Sequence, residues 1–319
     1  MKRTLVMIGV SLLLIAMLQP STAAAPKDTW TTKASMLTPG YHLTVTAVNG
    51  KIFAIGGFDP DGNIMTLNQM YDPLTNTWTY KAPALTPRAD ATAVAYMGKI
   101  YLIGGVTGSD YTELNTMEIY DVATDTWTTG PSMPTARTGP ASAVLGGKIF
   151  VIGGGARTPI PSLSTVEVFD ISSNTWSTSS SLNQGRISPA AVTAGGKIYA
   201  FGGYSYDLLS MLNTVEVYDP NRNIWTMLPS MPTTRGEMTA EAKGNTIYVI
   251  GGHDINLPYP FQFDKVEAYD ISKKTWSTKT PMPTRRDSMD SAIIGNTIYV
   301  IGGGDGYSMS GLNEAYIIG

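Results

Sequence analysis

The stretch GEMTAEAKGNTIYVIGGHDINLPYPFQFDKVEAYDISKKTWSTKTPMP, residues 236–283, holds one complete structural unit. Within it, residues 239–243 read as a short strand and Gly244-Asn245 as a two-residue hairpin turn. The apolar run 246–250 follows and is halted by Gly251-Gly252. After a longer segment, residues 265–269 alternate as a third strand, 270–274 turn the chain, and 275–279 form a fourth strand around Trp276. Beyond the first 25 residues, no window carries the 3.6-residue apolar period of a helix.

The same unit recurs along the whole chain. Trp30, Trp78, Trp127, Trp176, Trp225 and Trp276 are each followed 26 residues later by a Gly-Gly pair, beginning at Gly56, Gly104, Gly153, Gly202, Gly251 and Gly302. Five times an aromatic-Asp pair precedes the Trp at fixed distance: Tyr71-Asp72, Tyr120-Asp121, Phe169-Asp170, Tyr218-Asp219 and Tyr269-Asp270. The period is 48–51 residues, and its variation falls between the Gly-Gly and the aromatic-Asp pair. Variable length marks that segment as a surface loop. Repeats of four short strands point to a propeller, in which each blade buries its faces against its neighbours.

The Gly-Gly pair, the aromatic-Asp pair with a preceding Glu (Glu118, Glu167, Glu216, Glu267) and the later Trp resemble the kelch repeat. The resemblance extends over residues 28–319. It implies an all-β fold, a six-bladed kelch β-propeller with four antiparallel strands per blade, as one domain over residues 25–319. Blade one departs from the pattern with Gln69 in place of the Glu, and the last repeat ends at Gly319 without a Tyr-Asp pair or a Trp. The chain offers a lone fourth strand around Trp30 and a third strand over residues 312–318. Residues 29–33 are therefore expected to complete the last blade, closing the ring and hiding two sheet edges.

Composition narrows the function. The 319 residues include 22 Lys and Arg, 25 Asp and Glu, two His and no Cys, with a net charge of −3. A globally basic nucleic-acid binder is excluded, as are disulfides, thiolate metal sites and Cys nucleophiles. Kelch-type copper oxidases need a Cys-Tyr crosslink and are excluded with them. With His42 and His253 the only histidines, a His-rich metal site is set aside, and no metal or cofactor is expected. Asp59-Pro60-Asp61-Gly62-Asn63 reads as an ordinary turn, since it lacks the downstream bidentate Glu of a calcium loop. Lys2 and Arg3, an apolar run over 5–18 and the small residues up to Ala25 read as a signal peptide over residues 1–24. Its removal leaves a chain of net −5, secreted or periplasmic, monomeric, and without a membrane span.

Strand polarity puts the variable loops and the links between blades on one face. Sixteen residues before each Gly-Gly stand Gly40, Arg88, Arg137, Arg186, Arg235 and Arg286. In ligand-binding kelch propellers, arginines at this position line the pocket mouth, so the resemblance implies a ligand-facing ring. The residues themselves leave a second reading open, in which each Arg ties adjacent blades through its five donors. The loops also carry Phe58, Tyr111, Tyr204, Tyr206, Tyr259, Phe261, Tyr307 and His253. Among these, Tyr204, His253 and Tyr259 are taken as ligand-binding candidates, and the loop over residues 254–264 as the specificity element. Glu241 and Asp290 break an inner-strand pattern of small residues, and Glu237 and Asp287 follow Arg235 and Arg286 as their partners or as ligand contacts.

Two functions fit these residues. The first is an exported binding module that presents an Arg/aromatic face to an extracellular protein or glycan. The second is a sugar mutarotase or epimerase for an acidic sugar, as in the periplasmic kelch-type sialic acid mutarotase, which the chain resembles distantly. That chemistry needs an acid/base group, for which Glu237, Glu241 and Asp290 are the candidates, and an Arg for the sugar carboxylate. A purely structural surface protein is the third possibility.

Overall fold

The computed structural model describes residues 27–156, 161–259 and 261–319. The export segment expected over residues 1–24 and Pro260 in the blade-five loop lie outside the described residues. Six four-stranded antiparallel sheets form the blades. Blade five consists of Thr239–Lys243, Thr246–Ile250, Val266–Asp270 and Thr275–Thr278, so its third strand starts one residue later than its alternation suggests. Lys243 pairs directly with Thr246, and the intervening turn places Gly244 at φ 59°, the left-handed conformation such turns require.

The first strand of each blade lines a central channel of about 450 Å³. The second strands supply the core: Ile100, Leu102, Ile149, Val151, Ile247 and Val249 are fully buried. Burying each such side chain contributes about 1.5–3 kcal/mol. At the outer edge, each Trp packs on the third-strand aromatic of its own blade, as Trp225 does on Tyr218 at 5.3 Å. Its indole N–H donates to a carbonyl of the preceding blade, Ser180 for Trp225 and Pro229 for Trp276. Apolar packing and a directional bond thus hold each blade to its neighbour.

The ring closes as the repeat count requires. Thr29–Thr32 joins Asn313–Ile317 as the outer strand of blade six, with Trp30 opposite Tyr316. Trp30 donates to the Thr280 carbonyl across the seam. The last repeat also keeps more of the pattern than its sequence suggests. Glu314 and Tyr316 occupy the Glu and aromatic positions, and Asp28 from the other end of the chain accepts the Tyr316 hydroxyl at 2.7 Å. Two variable segments, read as loops, carry small hairpins instead, pairing Val106–Thr107 with Thr112–Glu113 and Tyr204–Ser205 with Ser210–Met211. No helix among the described residues is long and apolar enough to cross a membrane.

Candidate functional site

The five repeated arginines do not line the mouth. Arg88, Arg137, Arg186, Arg235 and Arg286 are all at most 1% exposed. Their guanidinium groups pair with Glu118, Glu167, Glu216, Glu267 and Glu314 respectively, at 2.6–2.8 Å in the last four. In each, Nη1 donates to the carbonyl of the first glycine of the Gly-Gly pair, as Arg186 does to Gly202 at 3.0 Å. The Arg backbone meanwhile belongs to the previous blade: Gly154 N–H donates to the Arg186 carbonyl. A Cβ on Gly153, at φ 64°, would stand 2.6 Å from that carbonyl, which is why the position is glycine. Each Arg therefore ties two blades, and the expectation of a ligand-facing ring is corrected. None of these five arginines is open to a sugar carboxylate.

Two residues beyond the Arg column, the chain builds a collar around the channel mouth. His42, Asp90, Gly139, Ser188, Glu237 and Ser288 supply one residue per blade, all with φ between 49° and 54°. Their backbones form a closed ring: each N–H donates to the carbonyl of the collar residue before it, His42 to Ser288, Asp90 to His42, and so on, at 2.8–3.2 Å. Left-handed backbone costs roughly 1–2 kcal/mol for a residue with a Cβ. Five of the six positions nonetheless keep a side chain, and strain of this kind gathers at functional sites.

One side of the collar concentrates ionisable groups. His42 Nδ1 lies 2.6 Å from Asp90 Oδ1, and its Nε2 faces Glu237 Oε2 at 4.0 Å. His253 Nδ1 lies 3.1 Å from Asp287 Oδ2 and 3.7 Å from Glu237 Oε2. Ser288 donates its hydroxyl to Glu237 at 2.5 Å, and Gln262 donates to Asp287 at 3.2 Å. Burial opposes charge on His42, but Asp90 and Glu237 overcome it and push its pKa up to about 10. His253 is raised in the same way, against burial, by Asp287 and Glu237. Among the described residues, Glu237, His253 and Asp287 hold their donor atoms within 4.8 Å of one another and form a group able to hold a metal. His42 and Asp90 escaped the sequence reading, although the column two residues after each Arg would have revealed them.

Deeper in the channel, Asp290 accepts from Val45 N–H at 2.8 Å, from Ser291 N–H and from the Thr239 hydroxyl. Burial still lifts its pKa to about 6. Glu241 accepts only from the Ser291 hydroxyl, at 3.1 Å; burial first, and then Asp290, push it up to about 8. Burial and Asp290 thus both favour the neutral acid form of Glu241.

Beside the collar lies a pocket of about 350 Å³, walled by Ile187, Tyr204, Tyr206, Met211, Glu237 and His253. Tyr204 and Tyr206 meet edge-on at 4.8 Å. Tyr259, half exposed, stands outside this pocket; it packs on Tyr307 and donates its hydroxyl to the Gly306 carbonyl. Phe58 is buried under Tyr41 and offers no exposed ring.

A family model described as the Attractin/LZTR1 beta-propeller matches residues 52–312 of this chain. Among solved structures, one titled "Structure of YjhT" matches with a TM-score of 0.76 and 17% identity, over 89% of this chain and 95% of that chain. At that identity the likeness is one of fold. No curated protein matches the chain.

Proposed function

The chain belongs to the Attractin/LZTR1 β-propeller family, of kelch type, and on that premise we propose that it is an exported sugar-binding propeller. Its ligand is a neutral or amino-bearing sugar unit, free or at the end of a glycan, seated between the collar and the Tyr204/Tyr206 pocket. The observation that carries this reading is the pairing of Tyr204 and Tyr206 with Glu237 in one cleft of about 350 Å³. Aromatic faces cover the apolar side of a sugar ring, and a carboxylate accepts from hydroxyl or ammonium groups. Three carboxylates at the mouth, Asp90, Glu237 and Asp287, disfavour an anionic sugar.

A thermal-shift screen of the leaderless protein against neutral, amino, sialic and uronic sugars, with basic peptides alongside, tests the reading. Ligand at 100 times its Kd stabilises by about 2.7 kcal/mol. The expected result is a saturable shift with neutral or amino sugars that Tyr206→Ala abolishes. A shift with acidic sugars alone, or with basic peptides alone, contradicts it. Glu241 favours a second, catalytic reading: a carboxyl with a pKa of about 8 can give and take a proton at neutral pH. Anomer exchange of any sugar that binds, followed by polarimetry, separates catalysis from binding.

A further inference from the structure

We propose that the mouth cluster is a binding site for a first-row divalent transition metal ion such as Zn2+, ligated by Glu237, His253 and Asp287. The ion would share Glu237 and His253 with the sugar pocket, but it is measured with no sugar present, so the two readings fail separately.

His253 carries the first argument. Its side chain is 8% exposed, and its Nδ1 makes no hydrogen bond although two carboxylate oxygens lie 3.1 and 3.7 Å away. Ligands of a common ion behave this way, because their lone pairs aim at the ion and not at each other. Bonds of about 2.0–2.2 Å in tetrahedral or right-angled geometry hold two ligand atoms roughly 3 Å apart.

His42 carries the second. Its Nδ1 is engaged by Asp90 at 2.6 Å, which leaves Nε2 directed toward Glu237 Oε2. His42 is not among the three donors that lie within 4.8 Å of one another, so it acts behind Glu237, helping to orient that carboxylate. Glu237 thus faces both imidazoles of the chain.

Charge and rigidity complete the case. Asp90, Glu237 and Asp287 crowd one side of the collar, and among the described residues no Lys or Arg forms an ion pair with any of them. His253 is pinned by antiparallel bridges to Gly236 and to Gln262, and Asp287 by a bridge to Gly304. His42 and Glu237 are fixed by the collar ring. Three donors from two adjacent blades are therefore positioned before any ion arrives. An imidazole nitrogen with two carboxylates suits Zn2+ and its first-row neighbours, whereas Ca2+ and Mg2+ favour oxygen ligands throughout.

Calorimetric titration of tag-free, chelator-treated protein with ZnCl2, and separately with CaCl2 and MgCl2, tests the proposal. One Zn2+ per chain is expected at micromolar affinity or tighter, with Ca2+ and Mg2+ far weaker. Glu237→Gln and His253→Gln should each weaken Zn2+ by at least about tenfold, and Tyr307→Ala, remote from the cluster, should not. Absence of saturable Zn2+ binding, Ca2+ binding as tight as Zn2+, or unchanged Zn2+ affinity in both ligand variants would overturn it. If the ligand variants fail to fold, protection of His253 from diethylpyrocarbonate by Zn2+ in the unaltered protein replaces them. Protection supports the site; equal modification with and without Zn2+ overturns it.

Discussion

Arg235 and Glu237 are two residues apart and meet opposite surroundings. Arg235 is fully buried against Glu267 and the Gly251 carbonyl, in an arrangement repeated in five blades. Glu237 sits at the open mouth beside His42 and His253, in an arrangement found once. The first layer has a cation for each anion. The second gathers three carboxylates around two imidazoles. A charge that recurs with the repeat is part of the machinery that joins blades, and a charge that breaks the repeat is free to serve a ligand.

Blade one shows the rule from the other side. Gly40 replaces the Arg, and Gln69 replaces its Glu, so both charges are absent together. Gln69 instead exchanges two hydrogen bonds with the Thr38 backbone, and Met65 and Leu43 close over Gly40. A neutral junction can therefore be built, and removing one partner alone should be worse than removing both. Arg186→Ala, which strands Glu216 in the interior, is expected to cost about 3–5 kcal/mol in urea unfolding. Arg186→Ala with Glu216→Gln should recover a large part of that loss. Equal losses in the single and double variants would mean that packing, not charge, holds the junction.

A smaller effect separates the channel acids from the buried pairs. Glu241 is raised above its unfolded value, so the folded state holds a proton that the unfolded state has already lost. Its contribution is fully present below about pH 4.5 and is lost as pH rises toward about 8. Glu241→Gln should therefore leave stability near pH 4 almost unchanged and raise Tm at pH 8–9. Each kcal/mol recovered corresponds to about 2–4 °C for a domain of this size. A Tm increment independent of pH would show that Glu241 is not the titrating group.

The fold was legible because its signals are periodic: six Trp to Gly-Gly spacings, two-residue turns and an unpaired strand at each end. The arginine column was just as visible, but spacing reports a position and not what the guanidinium meets. Its partner lies about 30 residues on, in the Glu that precedes the third-strand aromatic, and the joint loss at Gly40 and Gln69 was the clue to the pairing. The mouth cluster was harder to see. His42, Glu237, His253 and Asp287 come from three repeats and three alignment columns; the packing of blade five on blade six brings the last three together, and the ring closure between blades six and one adds His42. Loop position alone suggests Tyr204, His253 and Tyr259 together; the first two wall the pocket, whereas Tyr259 packs against its neighbours outside it.

The most direct measurement is the urea-unfolding free energy of Glu237→Gln in the absence of metal and sugar, set beside that of Arg186→Ala. If the collar charges serve a ligand and the repeated pairs serve the fold, Glu237→Gln stays within about 1 kcal/mol of the unaltered protein. A loss of about 3 kcal/mol or more, matching a stranded buried charge, would make Glu237 another joint between blades and contradict the account.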